Sequence, residues 1–420
     1  MHRTRTLSDL DPADLRGRRV LVRVDYNVPL DAEGRITDPI RIQATLPTLR
    51  LLVEAGARVI LVSHLGRPDG QPDPKASLAP VASWLQEATG WRVPLRSESP
   101  GSSGLRSELE ALEDGQVALL ENIRFLPGET KNDPELAREL GSLADLFVGE
   151  AFGAAHRAHA STVGAAEVIR RNGGSAVAGR LMEKELRFLR DTLRAPARPF
   201  VSIMGGAKIS GKIELIEAIL PSVDRLLVGG AMANTFFRAL GLDTGASLVE
   251  EDRIDLAADL LERGGEKILL PVDAVVATAI APDAVTRVVA RDEVGGEDRI
   301  GDIGPATRDL FGQEIAAAGT VVWNGPMGVS EFTPFAAGTF EIARALAKAT
   351  GRGTVSVVGG GDSAAAAEAA GVADQMTHIS TGGGASLDLL AGKSLPGVEV
   401  LETVETSERP GTPGQGGDAR

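Results

Sequence analysis

Asp25 and Asn27 stand two apart in VRVDYNVPL, and Arg41 follows shortly after. SHLGRP supplies His64 and Arg67, ENIRFLPGE supplies Arg124, and EAFGAAHRAHAST supplies His156, Arg157 and His159. Each group falls just past a short β-branched run, where open parallel sheets present their ligands. One such arginine alone reads as solvated surface charge. Four arginines and three of the five histidines at successive strand ends read as a site for a small, multiply anionic substrate. The guanidinium fork matches both carboxylate and phosphate.

The second half carries a different signal. Glycines gather where strands should meet helices: GGAK (205–208), GGAMANT (229–235), GDIGP (301–305), VGGGDSAA (358–365) and STGGGAS (380–386). Without a Cβ, the backbone N–H groups there can approach a phosphate at a helix N-terminus. One such turn means little; five predict a nucleotide phosphate site. Asp362 is the candidate Mg²⁺ ligand, since a hard cation takes carboxylate and phosphate oxygens, and it is equally a candidate N-cap for the helix that follows. GGAKISGK (205–212) also matches G-x-x-x-x-G-K, although Ile213 stands where a P-loop places its Mg²⁺-binding hydroxyl.

The elements that must position these residues are legible as alternation. Apolar runs at 19–28, 57–65, 116–123 and 145–150, then at 199–205, 225–230, 267–277, 320–326 and 354–360, are separated by Ala/Leu/Glu-rich helical stretches. Near-continuous apolar strands between helices predict parallel sheets covered on both faces. GRLMEKELRFLRDTL, bounded by NGG and APARP, predicts a helix linking two domains. From about residue 406 the chain is too polar to order itself, so a disordered tail is expected over 406–420.

At 420 residues two domains are expected. The absence of cysteine excludes disulfides, zinc–thiolate sites and iron–sulfur clusters. A net charge of −14 (44 minus 58) argues against general nucleic-acid binding. The sequence shows neither a secretory h-region nor a spanning apolar stretch, so a cytoplasmic protein with no membrane partner is expected.

VRVDYNVPL, SHLGRP, ENIRFLPGE-x-KNDPE, AFGAAHRAHAST, GGAKISGK, SLVEEDRIDLA, LPVDAVVA, DIGP, WNGPMGVSEF, VGGGDSAA and HISTGGGASLDLL together resemble phosphoglycerate kinase, in that family's order over about residues 8–400. The resemblance implies an α/β protein of two doubly wound parallel-sheet (Rossmann-like) lobes joined by a hinge helix. Residues 1–175 would form the triose-binding lobe, with 386–405 packing back on it. Residues 176–198 would link it to a nucleotide-binding lobe over 199–385.

The implied substrates are 3-phosphoglycerate and 1,3-bisphosphoglycerate, and the implied cofactors are ATP/ADP and Mg²⁺. Triose ligands would be Asp25, Asn27, Arg41, His64, Leu65, Gly66, Arg67, Arg124 and Arg157. Nucleotide ligands would be Lys208, Lys212, Glu331, Gly359, Gly360, Gly361, Asp362 and Ser363, with the metal on Asp362. Arg41, Lys208 and Lys212 would meet the phosphoryl group in flight. A monomer is expected. Hinge closure about 172–199 would exclude water.

This chain also departs from the family pattern. Gly149-Glu150 replace Asn-Asp, and Ser210-Gly211-Lys212 replace S-D-K. Ala231, Asn234, Ala246, Ile300 and Ser330 also depart from it. The P-loop match therefore depends on a glycine where the family carries Asp. Two further readings stand beside the kinase: a non-catalytic binding or scaffold paralogue, and a P-loop NTPase resting on 206–212 alone.

Overall fold

The structure is a computed structural model that describes residues 2–191 and 194–405, with the side chain at 191 excepted. The chain forms two compact units. One takes the chain up to Ala151, then Arg157–Glu183, then Pro396 onward; the other takes Phe152–His156 and Lys184–Leu395.

The first unit opens with β1 (His2–Thr4) and holds β2 (Arg19–Arg23), β3 (Arg58–Val62), β4 (Leu95–Arg96), β5 (Val117–Leu120), β6 (Leu146–Gly149) and β7 (Ser175–Ala178). β2 to β7 make one parallel sheet in the order β4-β5-β3-β2-β6-β7. Consecutive Val20, Leu21 and Val22 are all fully buried, as a strand covered on both faces requires. One face of the sheet packs Val20, Val22, Val59 and Leu61 against Ile42, Leu49 and Leu52 of the helix Ile40–Glu54. Each such side chain contributes about 1.5–3 kcal/mol on burial.

The second unit holds β8 (Phe200–Met204), β9 (Arg225–Val228), β10 (Ile268–Leu269), β11 (Asp273–Ala277), β12 (Arg287–Ala290), β13 (Arg299–Ile303), β14 (Thr320–Asn324), β15 (Val355–Gly359) and β16 (His378–Ile379). Its parallel sheet runs β10-β9-β8-β14-β15-β16. An antiparallel sheet in the order β12-β11-β13 is inserted after β10. Val201, Ile203, Val321 and Trp323 pack with Phe311, Ile315, Ile342 and Leu346 in this core.

In both sheets the chain winds outward in opposite directions from two adjacent strands: β2 and β6 in the first, β8 and β14 in the second. A crevice opens beyond the carboxyl ends of such strand pairs. The candidate residues follow these ends.

Some boundaries differ from expectation. The run at 267–277 is two strands in two sheets, because Leu270-Pro271-Val272 breaks it. Residues 176–178 belong to β7, and the linking helix begins at Arg180. Residues 386–395 group with the second unit, and the return to the first begins at Pro396. It ends in β17 (Thr403–Glu405), paired antiparallel with β1. The tail expected over 406–420 lies outside the described residues.

Candidate functional site

The first half-site starts at the end of β2. Arg41 Nη1 donates to Asp25 Oδ2 at 3.1 Å and to the Asn27 carbonyl at 3.3 Å. Asn27 Oδ1 accepts the Gly66 N–H at 2.8 Å, and Arg124 Nη1 donates to the Gly66 carbonyl at 2.7 Å. The SHLGRP turn is thus held from two neighbouring strand ends. Asn122, fully buried, latches the same turn through both sides of its amide: Oδ1 accepts from Leu65 N, and Nδ2 donates to the Leu65 and Ala76 carbonyls.

Arg67, Arg124 and Arg157 line one cleft of about 580 Å³, together with Lys131 and His159. Burial of Arg124, with Arg23 and Arg157 nearby, draws its pKa down. Such crowding of cations, with Asp69 the one carboxylate residue in the lining, favours binding of an anion in the cleft. His64 is buried and neutral: burial, reinforced by Arg23 and Arg124 against Asp25, pushes its pKa down to about 3. Its Nδ1 lies 3.3 Å from Arg23 Nη2 and acts as the acceptor, which leaves the proton on Nε2. Burial opposes the charge on Asp25, but the Arg41 and Arg23 guanidinium groups and the Asn27 N–H act against it, and the carboxyl stays below its ordinary value.

Behind the cleft runs a buried charge relay. Arg23 Nε donates to Ser161 Oγ at 2.7 Å, and Ser161 gives Glu129 its N–H at 2.9 Å and its hydroxyl at 2.6 Å. His159 Nδ1 lies 3.6 Å from Glu129. His159 therefore backs the cleft, whereas His156 groups with the second unit.

The second half-site sits where β8 and β14 end. Lys212 Nζ donates to the Gly205 carbonyl at 2.5 Å and to the Asn324 carbonyl at 3.0 Å. Burial pushes its pKa down to about 8, against the opposing pull of Asp362. Gly206 N donates to the Pro326 carbonyl and Met232 N to the Gly206 carbonyl, so the glycine turns interlock. A Cβ on Gly230 would lie 2.5 Å from Gly206 N. Beyond β15, Gly360 takes φ +91°. Ser363 Oγ accepts the Gly325 N–H at 2.6 Å, and Asn324 Nδ2 donates to the Gly359 carbonyl at 2.8 Å.

Glu331 and Asp362 line a cavity of about 370 Å³ with Gly206, Asn234 and Arg299. Asn234 is buried; its Nδ2 donates to the Leu248 carbonyl, and its Oδ1 has no partner among the described residues. The helix Gly361–Ala369 is N-capped by Gly360 with no side-chain bond, so Asp362 is not the cap. Its exposed carboxylate stands in the first turn. Among the described residues no cluster of three or more His, Asp or Glu side chains could hold a metal unaided. A lone carboxylate suits Mg²⁺ that keeps its remaining ligands as phosphate oxygens and water.

Lys208 and Lys212 do not ride on a helix turn, because the helix begins at Ile213. Lys212 turns back onto the strand ends, and Lys208 is exposed. Gly211 is outside the left-handed region, and a Cβ there would meet nothing within 4 Å. The second glycine of the apparent P-loop is therefore not required by the backbone.

The sequence profile of phosphoglycerate kinase matches residues 9–393. The chain belongs to the phosphoglycerate kinase family. It is 52% identical to a phosphoglycerate kinase of Synechococcus elongatus over 401 residues, covering 95% of this chain and 98% of that one. It is likewise 52% identical over 405 residues to one from Chloroflexus aurantiacus, covering 96% and 99%. The solved phosphoglycerate kinase of Coxiella burnetii superposes with a TM-score of 0.85 at 42% identity, covering 95% of this chain and 98% of that one. That of Pyrococcus horikoshii gives 0.80 at 32% identity, covering 94% and 98%.

Against the phosphoglycerate kinase motifs, two departures land outside the second unit. Gly149 packs beside Leu401, and Glu150 is buried in the first unit. Glu150 accepts hydrogen bonds from the Thr48 hydroxyl and from Leu181 N and Met182 N, the first turn of the linking helix. Sequence reasoning missed Lys131, although KNDPE carries it, and it missed the relay of Arg23, Ser161 and Glu129. Charged residues inside a strand or a polar motif give no periodic signal of burial.

Proposed function

We propose that this chain catalyses reversible phosphoryl transfer between 1,3-bisphosphoglycerate with ADP and 3-phosphoglycerate with ATP. The cleft of Arg67, Arg124 and Arg157 takes the triose phosphate, and Asp25, Asn27, Arg41 and His64 take its hydroxyl and carboxyl end, with the backbone of Leu65 and Gly66 shaping the turn. The glycines 359–361, Ser363, Lys208 and Lys212 take the nucleotide phosphates, and Glu331 takes the ribose. Asp362 would hold the Mg²⁺ that neutralises charge on those phosphates.

In the forward direction a terminal oxygen of ADP forms a bond to the acyl phosphate's phosphorus. The phosphorus–oxygen bond to the triose carboxyl breaks, and the carboxylate leaves with the electron pair. Neither oxygen carries a proton at neutral pH, so no general base is needed. Arg41, Lys208 and Lys212 serve by positioning and by neutralising equatorial charge. Both ligands must meet for this, and closure about the linking segment would exclude water.

The observation that carries this reading is four cations, Arg67, Arg124, Arg157 and Lys131, lining one cleft of a chain with net charge −14. No described helix is long and apolar enough to cross a membrane, and we place the protein in the cytoplasm as a monomer. A coupled assay with 3-phosphoglycerate and MgATP tests the reading. Turnover that requires both substrates is expected; none from folded protein would favour a non-catalytic paralogue.

A further inference from the structure

The turn carrying Lys208 and Lys212 lacks the carboxylate that the family places at position 211, yet a carboxylate reaches that turn from elsewhere. Ser210, midway between the two lysines, gives its N–H to Glu250 Oε2 at 3.1 Å and its hydroxyl to Glu250 Oε1. Glu250 is itself anchored, since its N–H donates at 3.2 Å to Oγ1 of the buried Thr235, on the helix Met232–Ala239.

We infer that Glu250 is a positioning residue for phosphoryl transfer, fixing the Ile209–Lys212 turn so that Lys208 is held toward the nucleotide phosphates. The inference rests on the reading above that Lys208 and Lys212 serve those phosphates.

Three further observations bear on it. Gly211 has open space around it and an unstrained backbone, so the glycine loosens the turn without being needed for its shape. A tether therefore matters more here than where residue 211 bears a side chain. Second, both Glu250 oxygens are engaged by Ser210, and Lys208 has no ion pair within 4 Å among the described residues. Its ammonium stays available for a phosphate. Third, partial burial opposes the charge of Glu250, but the Ser210 hydroxyl and N–H, the Ile209 N–H and Lys208 outweigh it and keep the carboxyl below its ordinary value. The clamp is ionised wherever the kinase would work.

The position of the missing carboxylate supplies a rescue. An aspartate at 211 has room for its side chain. It would lie just ahead of the helix Ile213–Ile219, where a short carboxylate can bond nearby N–H groups of its own turn. It would restrain the segment that Glu250 restrains from outside.

The test compares steady-state kinetics of wild type, Glu250→Ala, Glu250→Gln, Gly211→Asp and the double variant Gly211→Asp/Glu250→Ala, each checked for an unchanged circular dichroism spectrum. Glu250→Ala should lower kcat about 10- to 100-fold, the equivalent of losing hydrogen bonds to a charged group, with KM for 3-phosphoglycerate unchanged. Glu250→Gln keeps the shape without the charge and should fall about 10-fold. Gly211→Asp should return most of the kcat lost by Glu250→Ala. An inactive wild type would defeat the functional reading itself. With an active wild type, a Glu250→Ala kcat within twofold of it overturns the clamp. So does a loss that Gly211→Asp does not recover, because a merely structural Glu250 would not be rescued from the other side of the turn.

Discussion

Lys212 Nζ donates to the carbonyl oxygen of Asn324 at 3.0 Å, lodging the ammonium between the carboxyl ends of β8 and β14. This is the strand pair from which the second sheet winds in opposite directions. A cation there is oriented by carbonyl dipoles at its back and faces whatever binds in front.

Burial holds the Lys212 pKa at about 8, so the free protein loses this charge within an accessible pH range. The pH profile of kcat/KM, which reports the free enzyme, should fall above about pH 8 for the nucleotide. Lys212→Arg, slower overall, should lack that limb, because guanidinium stays protonated. A flat wild-type profile to pH 9.5 would contradict the assignment.

Glu150 gives a stability signature of the opposite origin. Its burial raises the carboxyl pKa from 4.5 to about 7, more than the Thr48, Leu181 and Met182 hydrogen bonds can offset. Between those values the folded state keeps a proton that the unfolded chain has released. Stability contributed by this group is therefore fullest below about pH 4.5 and falls as pH rises to about 7, by on the order of 3 kcal/mol. Urea unfolding across that window should show a slope that Glu150→Gln removes. An identical slope in the variant would show that Glu150 ionises freely in the fold.

The relay behind the arginine cleft should be costly to break. Glu129 and Arg23 are both buried and joined through Ser161. Glu129→Ala removes the larger of the two counter-charges that face Arg23, leaving Asp25, and a loss of roughly 3–5 kcal/mol is expected in urea unfolding. A change below about 1 kcal/mol would mean that water replaces the carboxylate there.

Two glycines of the second unit should respond in opposite ways. Gly211→Ala adds a methyl into open space on an unstrained backbone, so thermal unfolding should show a gain of about 0.4–1 kcal/mol. Gly230→Ala puts a Cβ at 2.5 Å from Gly206 N with φ at +66°, and should destabilise by more than that gain. Similar effects at the two sites would contradict the local geometry.

These contrasts show where the sequence was legible. Val20 to Val22 announces itself as a buried strand because nothing polar interrupts it, and Val201 to Ile203 because only the small Ser202 does; their positions point at once to Asp25 and Lys208. β4 and β16, two residues each, are too short to carry any period. β12 and β13 are short, open on Arg287 and Arg299, and lie outside the parallel sheets, so apolar runs do not reveal them. Arg23, Glu129 and Glu150 look like surface charges in one dimension. Only the fold brings in the Ser161 and Thr48 hydroxyls and the helix N–H groups that let them be buried. Asp362 read equally as cap or metal ligand, and the geometry of Gly360 removed the first reading.

The central claim is that triose and nucleotide are held by separate sets of residues and that Lys208 acts on the group passing between them. It is tested most directly by steady-state kinetics of Lys208→Ala beside wild type, with 3-phosphoglycerate and MgATP varied independently. The predicted result is a kcat lower by about 10²- to 10³-fold, the cost of one transition-state donor, with KM for 3-phosphoglycerate unchanged. Nucleotide hydrolysis by wild type in the absence of the triose, or a Lys208→Ala variant with wild-type kcat, would contradict it.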